Sequence, residues 1–118
     1  MDERLQKALD FSNFMVTLNN QKRLIREKYD EDLLYFANGS QFTVSRELIT
    51  FVGLMIDKDQ ETLILTDDNG IPSKVDDVNE FYDNILDVYF SASNEYFAKY
   101  EALKSNRSVE KLIEHDNE

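Results

Sequence analysis

Apolar residues recur at helical spacing through the first third of the chain. Between Asp2 and Phe36 there is no glycine or proline, and the apolar side chains follow in steps that combine three and four residues. They are Ala8, Phe11, Met15, Leu18, Ile25, Tyr29 and Phe36. The pattern predicts one helix that ends at Asn38-Gly39, a pair that tolerates the left-handed backbone of a helix end. At roughly 50 Å this helix would exceed the about 30 Å breadth of a compact domain this size, which indicates an oligomer.

A strand and a short helix follow in the sequence. Residues 41–44 alternate polar and β-favouring side chains and predict a strand. Ser45 is expected to cap a helix over residues 46–56 that is apolar on most sides and hence buried. Gly53 within this helix predicts a close approach of another backbone.

A β-hairpin is predicted next, with strands at residues 62–66 and 71–75. Asn69-Gly70 between them is the strongest two-residue signal for a tight hairpin turn. Pro72 cannot donate a backbone hydrogen bond, so the returning strand should lie at a sheet edge. With the strand at 41–44, these segments predict one small antiparallel sheet.

The second long helix opens with Asp77 and Glu80 in capping-box spacing and is predicted to run to about Lys104. The predicted fold is therefore helix-dominated α+β, with the order α-β-α-β-β-α and two long helices flanking the short helix and the sheet. We expect one domain over residues 1–104. Residues 105–118 are expected to form a flexible, acidic C-terminal tail.

An aromatic stripe runs along this second long helix, with three tyrosines one heptad apart that return to nearly the same face. Two interpretations remain open for it. The stripe can be intramolecular core, or its outer edge can be an interface with a protein partner or a second copy, since tyrosine buries a ring while its hydroxyl stays in water. The candidate interface residues are Tyr82, Tyr89, Phe90, Tyr96, Phe97 and Tyr100.

Charge narrows the possible partners. The chain has 13 Lys and Arg against 24 Asp and Glu, a formal net charge of −11. Such a surface repels nucleic acid and anionic membranes, so neither is expected as a direct partner. There is no cysteine, and the N-terminus lacks the basic start and apolar run of a signal peptide, so we expect a cytoplasmic protein without disulfides.

No residue pattern favours enzyme chemistry. His115 is the only histidine, and without cysteine the usual zinc ligands and histidine-based nucleophile activation have no other candidate. Residues 57–61 place acids at alternate positions as a calcium loop does, but Thr62 stands where that loop requires glycine. The three glycines are isolated from one another, so no phosphate-binding loop exists. We expect no catalytic, cofactor or metal site.

Five short phrases are spread over most of the chain, namely Leu18-Asn19-Asn20-Gln21, Glu47-Leu48-Ile49-Thr50-Phe51, Asp68-Asn69-Gly70-Ile71-Pro72, Ser93-Asn94-Glu95-Tyr96-Phe97 and Arg107-Ser108-Val109. They resemble a family encoded by large contractile-tailed bacteriophages, the minor prohead core proteins. The resemblance implies an internal scaffold component of the immature capsid, a non-enzymatic assembly role and protein partners. It also implies processing by a prohead protease, for which Leu112-Ile113-Glu114 has the expected pattern, although such triplets are common in this composition.

From the residues alone, the expected function is a self-associating protein of assembly. The alternative is an acidic inhibitor that mimics nucleic acid or occupies a basic site on a host enzyme, and the charge of −11 motivates it.

Overall fold

A computed structural model describes the backbone of residues 2–116 and the side chains of residues 2–105. Its elements are α1 (Glu3–Asp32), β1 (Leu34–Ala37), β2 (Ser40–Thr43), α2 (Arg46–Asp57), β3 (Leu63–Thr66), β4 (Pro72–Val75) and α3 (Val78–Asp116). The predicted class, helix-dominated α+β, is confirmed. The order is α-β-β-α-β-β-α, which has one strand more than predicted.

The chain divides into two compact units, which we describe separately. The hairpin unit comprises Tyr29–Glu95, and the two-helix unit comprises Met1–Lys28 with Tyr96–Glu118. The prediction of a single domain over 1–104, with a flexible tail after it, stays a prediction.

The extra strand lies where the first helix was predicted to continue. α1 ends at Asp32, and β1 pairs antiparallel with β2, so that Ala37 faces Ser40 across a two-residue loop. Both loop residues have positive φ, 53° at Asn38 and 78° at Gly39, as a type I′ turn requires. The predicted helix end at Asn38-Gly39 is therefore wrong. These residues turn a hairpin, and the β-favouring residues before them form its first strand.

The second hairpin is present as predicted, but its turn is of another kind. Thr66 pairs with Pro72, which leaves a five-residue loop instead of a two-residue turn. The buried Asp67 organises this loop: its Oδ1 accepts hydrogen bonds from the backbone N–H groups of Asn69 and Ile71, each at 2.9 Å. Gly70 takes the positive φ of 76°. Thus Asn69-Gly70 lies in a hairpin loop held by an aspartate side chain.

The two hairpins form separate two-stranded sheets, so the predicted single sheet is wrong. Asp68 joins them. Its backbone N–H donates to the Gln41 carbonyl at 2.9 Å, and its carboxylate accepts from the Thr43 backbone N–H at 3.0 Å. The other carboxylate oxygen accepts from the Thr43 hydroxyl at 2.7 Å and the Gln41 amide at 3.1 Å.

These contacts shift the acidity of Asp68. The slight desolvation of this exposed carboxylate would by itself raise its pKa, but the hydrogen bonds from Thr43 and Gln41 favour the charged form and outweigh it, so the pKa lies below its ordinary value. The carboxylate is therefore the form that joins the hairpins.

The hairpin unit has a continuous hydrophobic core. Four of its side chains are fully buried, namely Val44, Val52, Val78 and Ile85. The Ser45 hydroxyl accepts the Leu48 N–H at 3.1 Å, which confirms the predicted cap of α2. The carboxylate of Asp77 accepts the Glu80 N–H at 3.1 Å and caps α3 as predicted.

Helix α2 is buried on one side only. Val52 is buried, whereas Phe51 and Leu54 are exposed, so the prediction of a wholly buried helix is wrong. At Gly53 the approaching group is the ring of Tyr82 and not a backbone, because a Cβ built on Gly53 would lie 3.4 Å from the Tyr82 ring and hydroxyl.

Few of the described side chains of the two-helix unit are buried. Among its described side chains only Leu18 and Leu103 are buried, and both line a cavity of about 50 Å³ together with Tyr100. α3 continues to Asp116, so the predicted helix end at Lys104 is wrong. No helix among the described residues is long and apolar enough to cross a membrane.

Candidate protein interaction surfaces

The six candidate interface residues divide between the two units. In the hairpin unit, Tyr82 and Tyr89 are half-buried and pack against the core, so their rings are used within the chain. Phe90 is exposed, and its ring lies edge-on to that of Tyr89 with centroids 6.2 Å apart. Only Phe90 of these three offers an open apolar side chain.

In the two-helix unit the same contrast separates tyrosine from phenylalanine. Tyr96 and Tyr100 are half-buried, with rings edge to face at a centroid distance of 6.3 Å. The Lys104 ammonium lies 5.4 Å from the centre of the Tyr100 ring, within cation–π range. Phe97 is exposed. The tyrosines that suggested the interface are thus partly covered, and the phenylalanines beside them are open.

Exposed apolar residues on α1 escaped the sequence interpretation. Leu5, Leu9 and Val16 are exposed and lie outside the apolar series that predicted this helix. The sequence does contain a signal for them, because α1 has more apolar residues than one face of a helix needs. A helix with apolar residues on two sides can contact two surfaces.

Formal charge is distributed unequally. Residues 29–95, the hairpin unit, contain 15 acidic and 3 basic residues, which gives −12. The two segments of the two-helix unit contain 9 acidic and 10 basic residues, which gives +1. The acidity of the chain therefore belongs to the hairpin unit.

A cleft of about 370 Å³ opens in the hairpin unit among β1, β2, β4 and the start of α3. Its floor is aromatic: the Phe81 ring lies edge-on to Tyr35 and Phe42, with centroids 5.7 and 5.4 Å apart. The Asn84 amide donates to the Tyr35 hydroxyl at 2.9 Å. Two acids of the lining have structural partners, since Asp77 caps α3 and Asp76 lies 3.7 Å from the Lys74 ammonium. These contacts account for both acids without a ligand.

The stretch tested as a calcium loop forms the end of α2. Asp59 has a positive φ of 60°, and its N–H donates to the Ile56 carbonyl at 2.9 Å, while the Gln60 N–H donates to Met55 at 3.0 Å. This pair of bonds is the Schellman motif that closes a helix, with aspartate at the position that glycine usually occupies. Within the part of the chain that the structure describes, no cluster of His, Asp or Glu could hold a metal ion. The side chain of His115 lies outside that part.

The comparisons add no relative: no family model matches the chain, and neither a curated protein nor a solved structure matches it. The resemblance to prohead core proteins therefore stays a prediction.

Proposed function

We propose that this chain is a non-enzymatic protein that acts by binding other protein chains in an assembly. One observation carries the proposal. Five of the eight phenylalanines are exposed, with 44% to 68% of each residue open to solvent. They are Phe11, Phe36, Phe51, Phe90 and Phe97.

Phenylalanine is costly to leave in water, since covering a side chain of this size contributes about 1.5–3 kcal/mol. Single exposed apolar residues are ordinary, but aromatic residues are depleted from free surfaces and enriched at interface cores. The exposed rings occur in both units, so each unit offers apolar surface to a partner. These contacts need no cofactor and no catalytic group.

The family resemblance supports a narrower role as a component of the prohead core of a large bacteriophage. The place of action would be the host cytoplasm or the immature virion. Acidic protein surface suits a shell interior that later receives DNA, since it does not retain phosphates. The candidate processing triplet Leu112-Ile113-Glu114 lies outside the described side chains and stays a prediction.

The test is to measure the mass of the full chain and to recover its partners. We expect either particles larger than the 13.9 kDa monomer in sedimentation or a protein partner recovered at fixed stoichiometry from the native or infected host. Neighbouring genes for portal, protease and capsid would identify the assembly. A chain that remains a monomer at tens of micromolar and recovers no stoichiometric partner would contradict the proposal.

The hairpin unit's charge of −12 favours a second candidate, an acidic inhibitor that occupies a basic site. Its test is displacement of labelled DNA from a basic nuclease. The Asp83→Asn/Asp87→Asn variant neutralises two exposed acids of the hairpin unit, and Asp2→Asn/Asp10→Asn makes the same charge change in the two-helix unit. An inhibitor should lose potency with the first variant only, whereas equal loss or no displacement would contradict it.

A further inference from the structure

The outer edge of β1 carries backbone groups that the described residues leave unpaired. Leu34 faces Thr43 across the first hairpin, and Phe36 faces Gln41. The Thr43 N–H and the Gln41 carbonyl point away from β1, because both form hydrogen bonds with Asp68. Facing residues of an antiparallel pair point their backbone groups both inward or both outward. The N–H and carbonyl groups of Leu34 and Phe36 therefore point outward, and no described residue forms a hydrogen bond with them.

The outer edges of β2 and β4 are protected. Asp68 covers the outer edge of β2. By the same alternation, the outward positions of β4 are Pro72, which has no N–H, and Lys74. Both residue types discourage an added strand, whereas β1 contains neither a proline nor a charged residue. β3 is the second open edge, with outward positions at Ile64 and Thr66, but none of its residues lines the cleft.

β1 is the open edge that borders the cleft of about 370 Å³. Tyr35 and Ala37 line the cleft, and the alternation of a strand puts Leu34 and Phe36 on the other face. Phe36 is 67% exposed. A strand added along β1 would place its own side chains alternately on these two faces. One set would lie beside Phe36 and the other beside the cleft, so the two faces select different residue types.

The cleft face favours basic side chains. Three acids line the cleft against one lysine, and they are Asp76, Asp77 and Glu80 against Lys74. Asp76 and Asp77 have the partners described above, whereas Glu80 is exposed and forms no ion pair with a described residue. The hairpin unit as a whole carries −12. A Lys or Arg on this face would complement that charge, while the exposed Phe36 ring favours an apolar neighbour on the other face.

A second copy of this chain does not suit this edge. All strands among the described residues belong to the hairpin unit, so a second copy could add a strand only by bringing together two units of −12 each. We infer that the β1 edge instead binds an extended segment of another protein, in which basic and apolar residues alternate. Backbone hydrogen bonds would hold the segment, and the two faces would select its side chains. The inference rests on the proposed function and names the chemistry of one partner.

The first experiment measures amide hydrogen exchange by NMR in the full chain, with and without a peptide. The probe is the capped hexapeptide Lys-Val-Lys-Val-Lys-Val. Its control is Lys-Lys-Lys-Val-Val-Val, which has the same charge without the alternation. A strand on β1 would pair the outward N–H groups, so exchange at Leu34 and Phe36 should slow at least about fivefold with the first peptide at saturation. Exchange at Ile64 and Thr66 on β3 should not change.

Proline substitution tests the edge itself. Phe36→Pro removes an outward N–H and the exposed ring, and Ile64→Pro is the matched control at an outward position of the open β3 edge. An outward position donates no hydrogen bond within its own hairpin, so both hairpins keep their ladders. We expect Phe36→Pro to bind the alternating peptide about 10-fold more weakly, while Ile64→Pro binds it as wild type does. Circular dichroism checks that both variants fold.

Glutamate substitution tests the charge of the cleft face. Glu80→Gln removes a cleft carboxylate, and Glu47→Gln is its matched control, because both are exposed glutamates in the first turn of a helix. We expect about a 2- to 5-fold loss of affinity for the alternating peptide with Glu80→Gln only. Higher salt should weaken binding to wild type, because it screens these charges.

The outcomes separate this inference from the proposed function. Slower exchange at Leu34 and Phe36 with the alternating peptide, lost with Phe36→Pro alone, supports the inference. Equal binding of both peptides, slower exchange only on β3, equal effects of the two glutamate variants, or no binding at millimolar peptide overturns it. Slower exchange on β1 as the concentration of the chain alone rises would assign the edge to a second copy and also overturn it. In each of these cases the assembly function is decided separately, by sedimentation and partner recovery.

Discussion

The hairpin unit and the two-helix unit use their apolar residues in opposite ways. Of the twelve buried hydrophobic residues among the described side chains, ten form the core cluster of the hairpin unit, and only Leu18 and Leu103 belong to the two-helix unit. The exposed large hydrophobic residues divide equally, six in each unit. The charge of −12 falls on the unit that has the core.

The difference shows where the buried hydrophobic side chains of the described chain are concentrated. The hairpin unit has the hydrophobic core cluster that stabilises it, and its net charge opposes contact with other acidic chains. Among its described side chains the two-helix unit buries only Leu18 and Leu103, and the unit carries almost no net charge. Under the proposed function, a partner that covers the exposed apolar residues of this unit would stabilise it.

The largest expected loss of stability comes from removing a fully buried side chain of the hairpin-unit core. Ile85→Ala in the hairpin unit should lower the free energy of unfolding by about 3 kcal/mol, because a fully buried side chain loses its contacts and leaves a cavity. Leu24→Ala in the two-helix unit should change it by less than about 0.5 kcal/mol, because Leu24 is exposed. Urea denaturation at one protein concentration measures both. Equal losses of unfolding free energy at the two sites would contradict the burial of Ile85 and the exposure of Leu24.

Two aspartates test whether long-range contacts are restricted to the hairpin unit. Asp68→Ala should lower the free energy of unfolding by about 1 kcal/mol. Hydrogen bonds to a charged group usually contribute more than this, but Asp68 is exposed. Asp10→Ala in the two-helix unit should lower the free energy of unfolding by less than about 0.5 kcal/mol, since among the described side chains Asp10 accepts a hydrogen bond from Gln6, one helical turn away, at 3.0 Å. The same urea titration compares them. A larger loss of unfolding free energy for Asp10→Ala than for Asp68→Ala would contradict this interpretation of the hydrogen bonds.

Acidic pH should remove the contribution of the Asp68 carboxylate to the free energy of unfolding. Its pKa is lower in the folded chain than the ordinary value of 3.8, so the folded state favours the carboxylate. This stabilisation is fully present above the unfolded pKa and disappears as the pH falls through the folded pKa. The stability difference between wild type and Asp68→Ala should therefore be constant at pH 5–7 and shrink below about pH 4. A difference that grows in acid would contradict this assignment.

Two glycines of the hairpin unit should respond oppositely to the same substitution. Gly39→Ala should destabilise by about 1 kcal/mol, because its φ of 78° disfavours any side chain. Gly53→Ala should stabilise by up to about 1 kcal/mol, because alanine favours a helix and its Cβ would meet the Tyr82 ring at 3.4 Å, an ordinary contact. Thermal unfolding monitored by circular dichroism gives the sign of each change. A loss at Gly53 would show that Tyr82 cannot accommodate the methyl group.

The smallest effect concerns the end of α2. Asp59→Gly should stabilise the hairpin unit by about 0.5 kcal/mol, because the positive φ at position 59 suits glycine. Asp57→Gly, two residues earlier and still helical, is the control and should destabilise. Differential scanning calorimetry resolves the two. If both substitutions changed the stability in the same direction, the positive φ at position 59 would not explain the effect.

Local chemistry made several features predictable from sequence. Ser45 and Asp77 each place a side-chain acceptor one turn before a backbone N–H, and both caps formed as predicted. The β-hairpin over residues 63–75 followed from a run of β-favouring residues and a turn signal. These features depend on residues close in sequence, so neighbours alone determine them.

The candidate interface was less predictable. Helical spacing correctly placed the aromatic residues on α3, but it did not separate the half-buried Tyr82 and Tyr100 from the exposed Phe90 and Phe97. Exposure depends on which element packs against a face, and that information is not contained in the helix itself. For the same reason the exposure of Leu5, Leu9 and Val16 on α1 was not recognised.

The amino-acid sequence by itself determined the helix-dominated α+β class, the two caps, the second hairpin and the acidity, because propensity, capping and composition act over a few residues. Only the tertiary structure decided that Asn38-Gly39 turns a hairpin and that Asp67 and Asp68 hold a loop and join two sheets. It also decided which apolar residues of the long helices stay open. An Asn-Gly pair fits a helix end and a hairpin turn equally well in isolation, so the choice depends on whether the strands beside it find a core to pack against.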